Sequence, residues 1–130
     1  MKYLQQAEQE EAIELLSKHE WTHTITLSSF GDDVTVGKIF LQVTEGCERL
    51  LRNDPDALFV FYVCKNDENG RDHAHGVLNT SLPHIRIEGN YRGGRSKIFK
   101  SRPDIAGWYS YIAKQALAET LITNTQESFV

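Results

Sequence analysis

The sequence predicts an α+β domain in which helices pack on an antiparallel sheet of about five strands. The first observation behind this prediction is a continuous apolar segment, Leu58 to Lys65, which a polar turn connects to a second strand, Asp72 to Asn79. Two such segments around a short turn form a β-hairpin, and the apolar one is expected to be the central strand, covered on both faces. The second observation is a series of apolar residues at three- and four-residue steps between Val34 and Arg52, the spacing of an amphipathic helix.

Two shorter elements precede that helix. Residues Leu4 to His19 have the pattern of an acidic amphipathic helix, and residues Trp21 to Ser28 alternate between two faces, as a strand does. Gly31-Asp32-Asp33 then interrupts the pattern, and one of its aspartates is a suitable N-cap for the long helix. Asn53-Asp54-Pro55 ends that helix.

The elements after the hairpin are predicted in the same way. A short strand at His84 to Glu88 is followed by a flexible basic loop, Gly89 to Gly94, and by one more strand at Ser96 to Lys100. A last helix begins near Pro103 and runs to about Leu121, and the tail from Thr123 to Val130 is expected to fray. This order of elements suits a ferredoxin-like or RNA-recognition-like sandwich.

Length and composition are those of one globular domain, residues 1–130. Of the 130 residues 40% are hydrophobic and 25% are charged. Cys47 and Cys64 are too few and too far apart for a disulfide framework, which favours a reducing compartment. Met1 to Gln6 lacks the apolar core of a secretory signal, and the longest apolar run, Ala57 to Cys64, is too short to span a bilayer. We therefore expect a cytoplasmic protein.

Positive charge is concentrated in one segment, although the net charge of the chain is −4. Between Ile85 and Arg102 the basic residues are opposed only by Glu88, and a nucleic-acid backbone could be held there. These candidate DNA-binding residues are Arg86, Arg92, Arg95, Lys97, Lys100 and Arg102. A solvated basic loop with no partner explains the segment equally well.

Two histidines have a spacing that can chelate a metal ion. His73-Ala74-His75 lies in the second strand of the predicted hairpin, so both imidazoles point to the same face of the sheet. Neutral imidazole is a common ligand of divalent metals. For an arbitrary pair of this kind, polar residues on an exposed strand are the better explanation.

The last helix carries a candidate nucleophile. Tyr111 and Lys114 are three residues apart, and with Gln115 they lie beside the apolar stripe of the helix. A phenol has a pKa of about 10, so it is almost fully protonated at neutral pH. To attack phosphorus it needs a stabilised oxyanion or a polarised phosphate. A nearby lysine stabilises the oxyanion, and a divalent metal polarises the phosphate. An interfacial tyrosine with a snorkelling lysine is the plain alternative. Tyr109 has no basic residue at i+3 and is interpreted as packing.

Together these segments resemble the HUH endonuclease superfamily of rolling-circle replication initiators, in which three motifs occur in a fixed order. His23-Thr24-Ile25-Thr26-Leu27-Ser28 resembles the first motif, His73-Ala74-His75 the metal-binding motif and Tyr111-Ile112-Ala113-Lys114 the YxxK catalytic motif. The likeness covers roughly Trp21 to Glu119. No single motif is specific, whereas their order in one small α+β domain is fairly specific.

The resemblance implies metal-dependent nicking and joining of single-stranded DNA at a replication origin, with or without a hairpin, of a plasmid or virus. Tyr111 would take the 5′ phosphate covalently and leave a free 3′ hydroxyl for a polymerase. His73 and His75 would bind Mg²⁺ or Mn²⁺, and Lys114 would assist near the tyrosine or the phosphate. A separate helicase would unwind the DNA. A second cleavage would need a second subunit, as in a homodimer, or a returning 3′ end.

The chain departs from the family pattern at the third metal ligand. Many relatives carry a carboxylate on the strand before the histidines, where this sequence reads Val63-Cys64-Lys65. The ligand is left open among Asp67, Glu68, Gln115 and water. Gln115 resembles a ligand of the single-tyrosine transposases of the same superfamily.

Two other functions fit the same residues. One is a single-tyrosine transposase or relaxase-like nickase. The other is a non-catalytic, RNA-recognition-like module that binds nucleic acid through its sheet and basic segment. Phe30, Tyr91 and Phe99 could stack on unpaired bases, with packing the preferred role for Phe99.

Overall fold

The chain forms a five-stranded antiparallel sheet, in the order β4-β1-β3-β2-β5, with helices on both faces. A computed structural model describes residues 2–29, 35–65, 72–100 and 104–125. The helices are α1 (Gln6–Ser17), α2 (Val36–Asn53), α3 (His84–Asn90) and α4 (Ile105–Gln115). The strands are β1 (His23–Ser29), β2 (Leu58–Lys65), β3 (Asp72–Asn79), β4 (Gly94–Lys100) and β5 (Ile122–Thr123). The predicted α+β class is confirmed.

The segment from β1 to β4 is consistent with a ferredoxin-like fold. It follows the order β1-α2-β2-β3-α3-β4, and its strands lie as β4-β1-β3-β2, which is the split βαβ arrangement. Strands β2 and β3 have the predicted bounds. The middle position belongs to β3, however, so the expectation that β2 is central was wrong.

Each face of the sheet has its own apolar core. On one face the helices α2 and α3 cover side chains such as Ile25, Phe61 and Leu78. On the other face α1 and α4 cover Val60 and Val77, among others. Strand β2 contributes to both cores, as predicted for a strand covered on both sides.

The long helix begins at a different cap from the one predicted. Thr35 is the N-cap of α2, and its hydroxyl accepts a hydrogen bond from the Lys38 amide at 3.2 Å. Asp32 and Asp33 lie outside the described residues.

The segment His84 to Glu88 is a helix, so the strand predicted there was wrong. The Pro83 carbonyl accepts from the amides of Arg86 and Ile87 at 3.0 and 3.1 Å, which starts the helical turn. His84 and Glu88 contact each other one turn apart at 2.8 Å. The helix buries Ile87 and leaves Ile85 exposed.

The predicted flexible loop from Gly89 to Gly94 is also corrected. Gly89 and Asn90 complete α3, and Gly94 begins β4. Tyr91 is 1% exposed, and its hydroxyl lies 3.3 Å from Cys47 Sγ, so it cannot stack on a base. Its ring fills the space beside Gly46.

Helix α4 ends at Gln115, earlier than the predicted Leu121. Ala116 turns to an extended conformation and bridges Cys64, and the Leu117 amide donates to the Val63 carbonyl at 2.9 Å. Thr123 belongs to β5 rather than to a frayed tail, while residues 126–130 lie outside the described part of the chain. No helix in that part is long and apolar enough to cross a membrane.

We expect Gly46→Ala to destabilise the protein by about 1–3 kcal/mol, because its new Cβ would overlap a ring carbon of buried Tyr91. Gly89→Ala is the matched control, since that helical position has nothing within 4 Å and alanine favours the helix. Urea unfolding of both variants tests this. Equal stability of the two would contradict the packing described here.

Candidate functional site

The candidate site lies on the sheet face that α1 and α4 cover. In the strand register Thr26 of β1 is opposite His75 of β3 on one side and Lys97 of β4 on the other. These three residues therefore form a row across the sheet. Alternation along β3 places His73 on the same face as His75, as the sequence predicted.

Three potential metal-binding atoms meet above β3. His73 Nε2 lies 2.9 Å from His75 Nε2, and Gln115 Oε1 of α4 lies 3.2 Å from both. Neighbouring ligands of an octahedral ion with bonds of about 2.1 Å are about 3.0 Å apart, so this triangle has the size of three adjacent ligand positions. His75 Nδ1 lies 2.9 Å from Thr26 Oγ1, which holds the ring in place.

The third corner of this triangle is an amide oxygen rather than a carboxylate. Within the ranges that the structure describes, no group of three or more His, Cys, Asp and Glu side chains is arranged to hold a metal ion. Asp67 and Glu68 lie outside those ranges. Among the protein ligands left open by the sequence, Gln115 is therefore the one that the described structure brings to the histidines.

The phenol of Tyr111 stands beside the histidine pair. Its ring centre lies 5.2 Å from that of His75, and the side chain is 44% exposed. Trp108 stacks on Tyr111 with ring centres 5.5 Å apart, and it lies 4.9 Å from the His75 ring. The indole of Trp108 donates to the Gly76 carbonyl at 3.4 Å, so the tyrosine rests on an anchored ring.

Lys114 and Tyr109, both on α4, differ in environment. Lys114 is exposed, one turn after Tyr111 on the helix. Tyr109 is 7% exposed and belongs to the apolar core under α1 and α4, where burial raises its pKa. The packing role predicted for Tyr109 agrees with this position.

An open groove of about 590 Å³ runs from the histidines to the edge strand β4. Its lining residues are Thr26, His75, Lys97, Phe99, Asp104, Gly107, Trp108 and Tyr111. Phe99 lines this groove and is 51% exposed. Arg95, two residues before Lys97, lies on the same face by strand alternation.

The structure separates the basic residues predicted to bind DNA. Arg95 and Lys97 lie on the site face, whereas Lys100 points to the opposite face by alternation. Arg86 lies on α3, across the sheet, and its guanidinium donates to Asn53 Oδ1 at 3.2 Å. Arg92 follows α3. Arg102 lies outside the described residues.

Sequence reasoning missed the supporting roles of Thr26 and Trp108. Alternation along β1 places Thr26 on one face together with Thr24, but nothing in the sequence indicates that this face meets His75. Trp108 was assigned to the core, where it is 8% exposed. Its position three residues before Tyr111 was the available signal for ring contact.

The comparisons with known proteins inform the fold alone. No protein-family model and no curated protein matches the chain. The chain is similar to the crystal structure of the hypothetical protein ORF119 from Sulfolobus islandicus rod-shaped virus 1, with a TM-score of 0.51 and 18% sequence identity. The match covers 82% of this chain and 91% of that one.

Proposed function

We propose that this protein nicks and joins single-stranded DNA at a replication origin of a plasmid or virus, through a covalent bond between Tyr111 and the 5′ phosphate. The observation that carries the proposal is the meeting of His73, His75 and Gln115 within 3.2 Å of one another, beside the ring of Tyr111. The sequence predicted the histidines and the tyrosine from separate segments.

A divalent ion, Mg²⁺ or Mn²⁺, is the cofactor of this proposal. His73 Nε2, His75 Nε2 and Gln115 Oε1 would hold it. A ligand role for Nε2 requires the tautomer in which Nδ1–H of His75 donates to Thr26 Oγ1, 2.9 Å away, because Nε2 then keeps its lone pair. When bound, the ion polarises the phosphate and orients it for in-line displacement.

The chain's own residues perform the transfer. The Tyr111 oxygen attacks phosphorus, the bond from phosphorus to the 3′ oxygen breaks, and the phenol proton is lost while the leaving oxygen gains one. Exposed Lys114 stabilises the negative charge that develops near the phenol or the phosphate. Attack of a 3′ hydroxyl on the phosphotyrosine reverses the step, so nicking and joining share one site.

The DNA strand would follow β4 towards the tyrosine. Arg95 and Lys97 lie on the site face together with Phe99 and would contact phosphates, which holds the strand without reading its sequence. Phe99 exposes its ring to the same groove, where a base could stack on it.

A single-tyrosine transposase or relaxase-like nickase is the second candidate within the same chemistry. The position of Gln115, 3.2 Å from both imidazoles, favours it. In either case we propose a cytoplasmic enzyme that works with a separate helicase and polymerase. A second copy of the chain would supply the second tyrosine where two cleavages are needed.

Metal binding can be tested without knowing the DNA sequence. We expect Mn²⁺ titration calorimetry to show binding that His75→Ala and Gln115→Ala weaken by about tenfold or more, and Thr26→Val by about tenfold. Gln6→Ala is the matched control, because Gln6 is an exposed glutamine on α1 whose side chain donates to Glu10. Unchanged affinity in Gln115→Ala would reject the amide as a ligand, and unchanged affinity in His75→Ala would reject the site.

The covalent step is tested with Mn²⁺ and a randomised pool of single-stranded DNA. Because the tyrosine keeps the 5′ phosphate, a label at the 3′ end of the DNA should appear in an adduct on a denaturing gel, whereas a 5′ label should not. The adduct should disappear in Tyr111→Phe and persist in Tyr109→Phe. A non-catalytic binding module would give no adduct in any variant.

The path along β4 is tested by the salt dependence of DNA affinity. Loss of one phosphate contact reduces the slope of log affinity against log salt by about 0.7 for a single strand, so Lys97→Gln and Arg95→Gln should each lower it by that amount. Arg86→Gln, across the sheet, should leave the slope unchanged. Equal effects of Arg86→Gln and Lys97→Gln would place the DNA elsewhere.

A further inference from the structure

A second and larger groove, of about 890 Å³, lies on the other side of α4 from Tyr111. It runs between α1 and the turn that connects α4 to β5. Its lining residues are Leu4, Glu8, Glu11, Ala12, Glu14, Leu15, Lys18, His19, Tyr62, Glu119, Leu121 and Thr125. None of them lines the groove at Tyr111, so the proposed nicking reaction makes no use of this surface.

The charge of this acidic groove is one-sided. Glu8, Glu11 and Glu14 follow one side of α1, and Glu119 faces them from the turn after α4. Against these four carboxylates the lining contains a single lysine. The groove therefore repels a DNA backbone and attracts cations.

Glu119, which lines the groove, has a backbone conformation that few residues with a side chain adopt. Its φ of 65° lies in the left-handed region, which a residue with a side chain occupies at a cost. Among the described residues it is the one non-glycine with a positive φ.

The lining of the groove also includes apolar side chains and a nearly buried tyrosine. Leu4, Leu15 and Leu121 supply the apolar surface. Tyr62, only 6% exposed, lines the groove, and its hydroxyl makes no hydrogen bond to any described residue. Burial, together with the nearby Glu11 and Glu8, raises the pKa of Tyr62 to about 12, so the phenol stays a neutral donor and acceptor.

A simple metal site does not explain these features, because no three carboxylates of the described chain converge on one point. Spread charges beside apolar lining residues match instead an extended ligand with several cations and apolar side chains. Electrostatic complementarity of this kind guides protein recognition.

We propose that the acidic groove binds a lysine- and arginine-bearing amphipathic segment of a partner protein. Leucine-type side chains of the segment pack on the apolar lining residues, its cations face the four carboxylates, and a polar group of its backbone pairs with the Tyr62 hydroxyl. The bound partner lies between α1 and the segment that follows α4. The proposal does not depend on the nicking reaction.

A labelled amphipathic peptide of leucine and lysine tests this by fluorescence polarisation. We expect Glu11→Gln/Glu14→Gln to weaken its binding about fivefold or more, since two facing charges are lost. Glu10→Gln/Glu45→Gln changes the net charge equally at exposed positions outside the groove and should leave affinity within about twofold. Tyr62→Phe, which removes only the hydroxyl, should weaken binding about twofold to fivefold.

Three results would overturn the proposal. They are no measurable binding, an equal loss in the two double variants, and equal binding of a peptide with glutamate in place of lysine. Circular dichroism of each variant confirms that α1 is retained, so a loss of affinity can be assigned to the groove.

Discussion

The docking of α4 on β3 is the constraint on which the candidate site depends. Trp108 sets it, because its indole bonds the Gly76 carbonyl while its ring contacts both His75 and Tyr111. About two turns after Trp108 the helix ends at Gln115, with its amide oxygen within 3.2 Å of both imidazoles. A shift of α4 by one residue along its axis, about 1.5 Å, would separate these atoms. The site therefore forms only when α4 and the sheet keep this relative position.

The two faces of the sheet each carry an apolar core, but they differ in how fully the helices cover them. Under α2 and α3, rings fill the space that glycines leave, as Tyr91 does beside Gly46 and Phe61 beside Gly76. That face is closed and apolar. The other face keeps its polar residues where α4 leaves β1 and β4 uncovered, so an open groove remains beside the histidines. A rigid core on one side holds in register the strands that carry the polar residues on the other.

The sequence was sufficient where local pattern and tertiary structure agree. The hairpin of β2 and β3 has its predicted bounds, because a continuous apolar strand and its partner leave little freedom of register. It was insufficient where backbone pairing decided the outcome: Ala116 to Glu119 are good helix formers, yet this stretch leaves the helix to pair beside β2. At α3 the segment predicted as a strand is a helix, and the Pro83 carbonyl accepts the hydrogen bonds of its first turn. The sequence predicted His73, His75 and Tyr111 as candidate site residues. Their contact with Gln115 depends on where α4 lies over the sheet, and local sequence pattern does not give that position.

The two grooves flanking α4 account for the uneven charge of the chain. A protein with net charge −4 can hold a nucleic acid only where cations are concentrated, and Arg95 and Lys97 concentrate them on β4. The excess of carboxylates lies on α1, away from β4. There it would repel a DNA strand from α1 without weakening phosphate contacts along β4. Screening by salt weakens the field of each groove over about 10 Å. The two proposals would thus place a DNA strand and a cationic peptide on surfaces that share no lining residue.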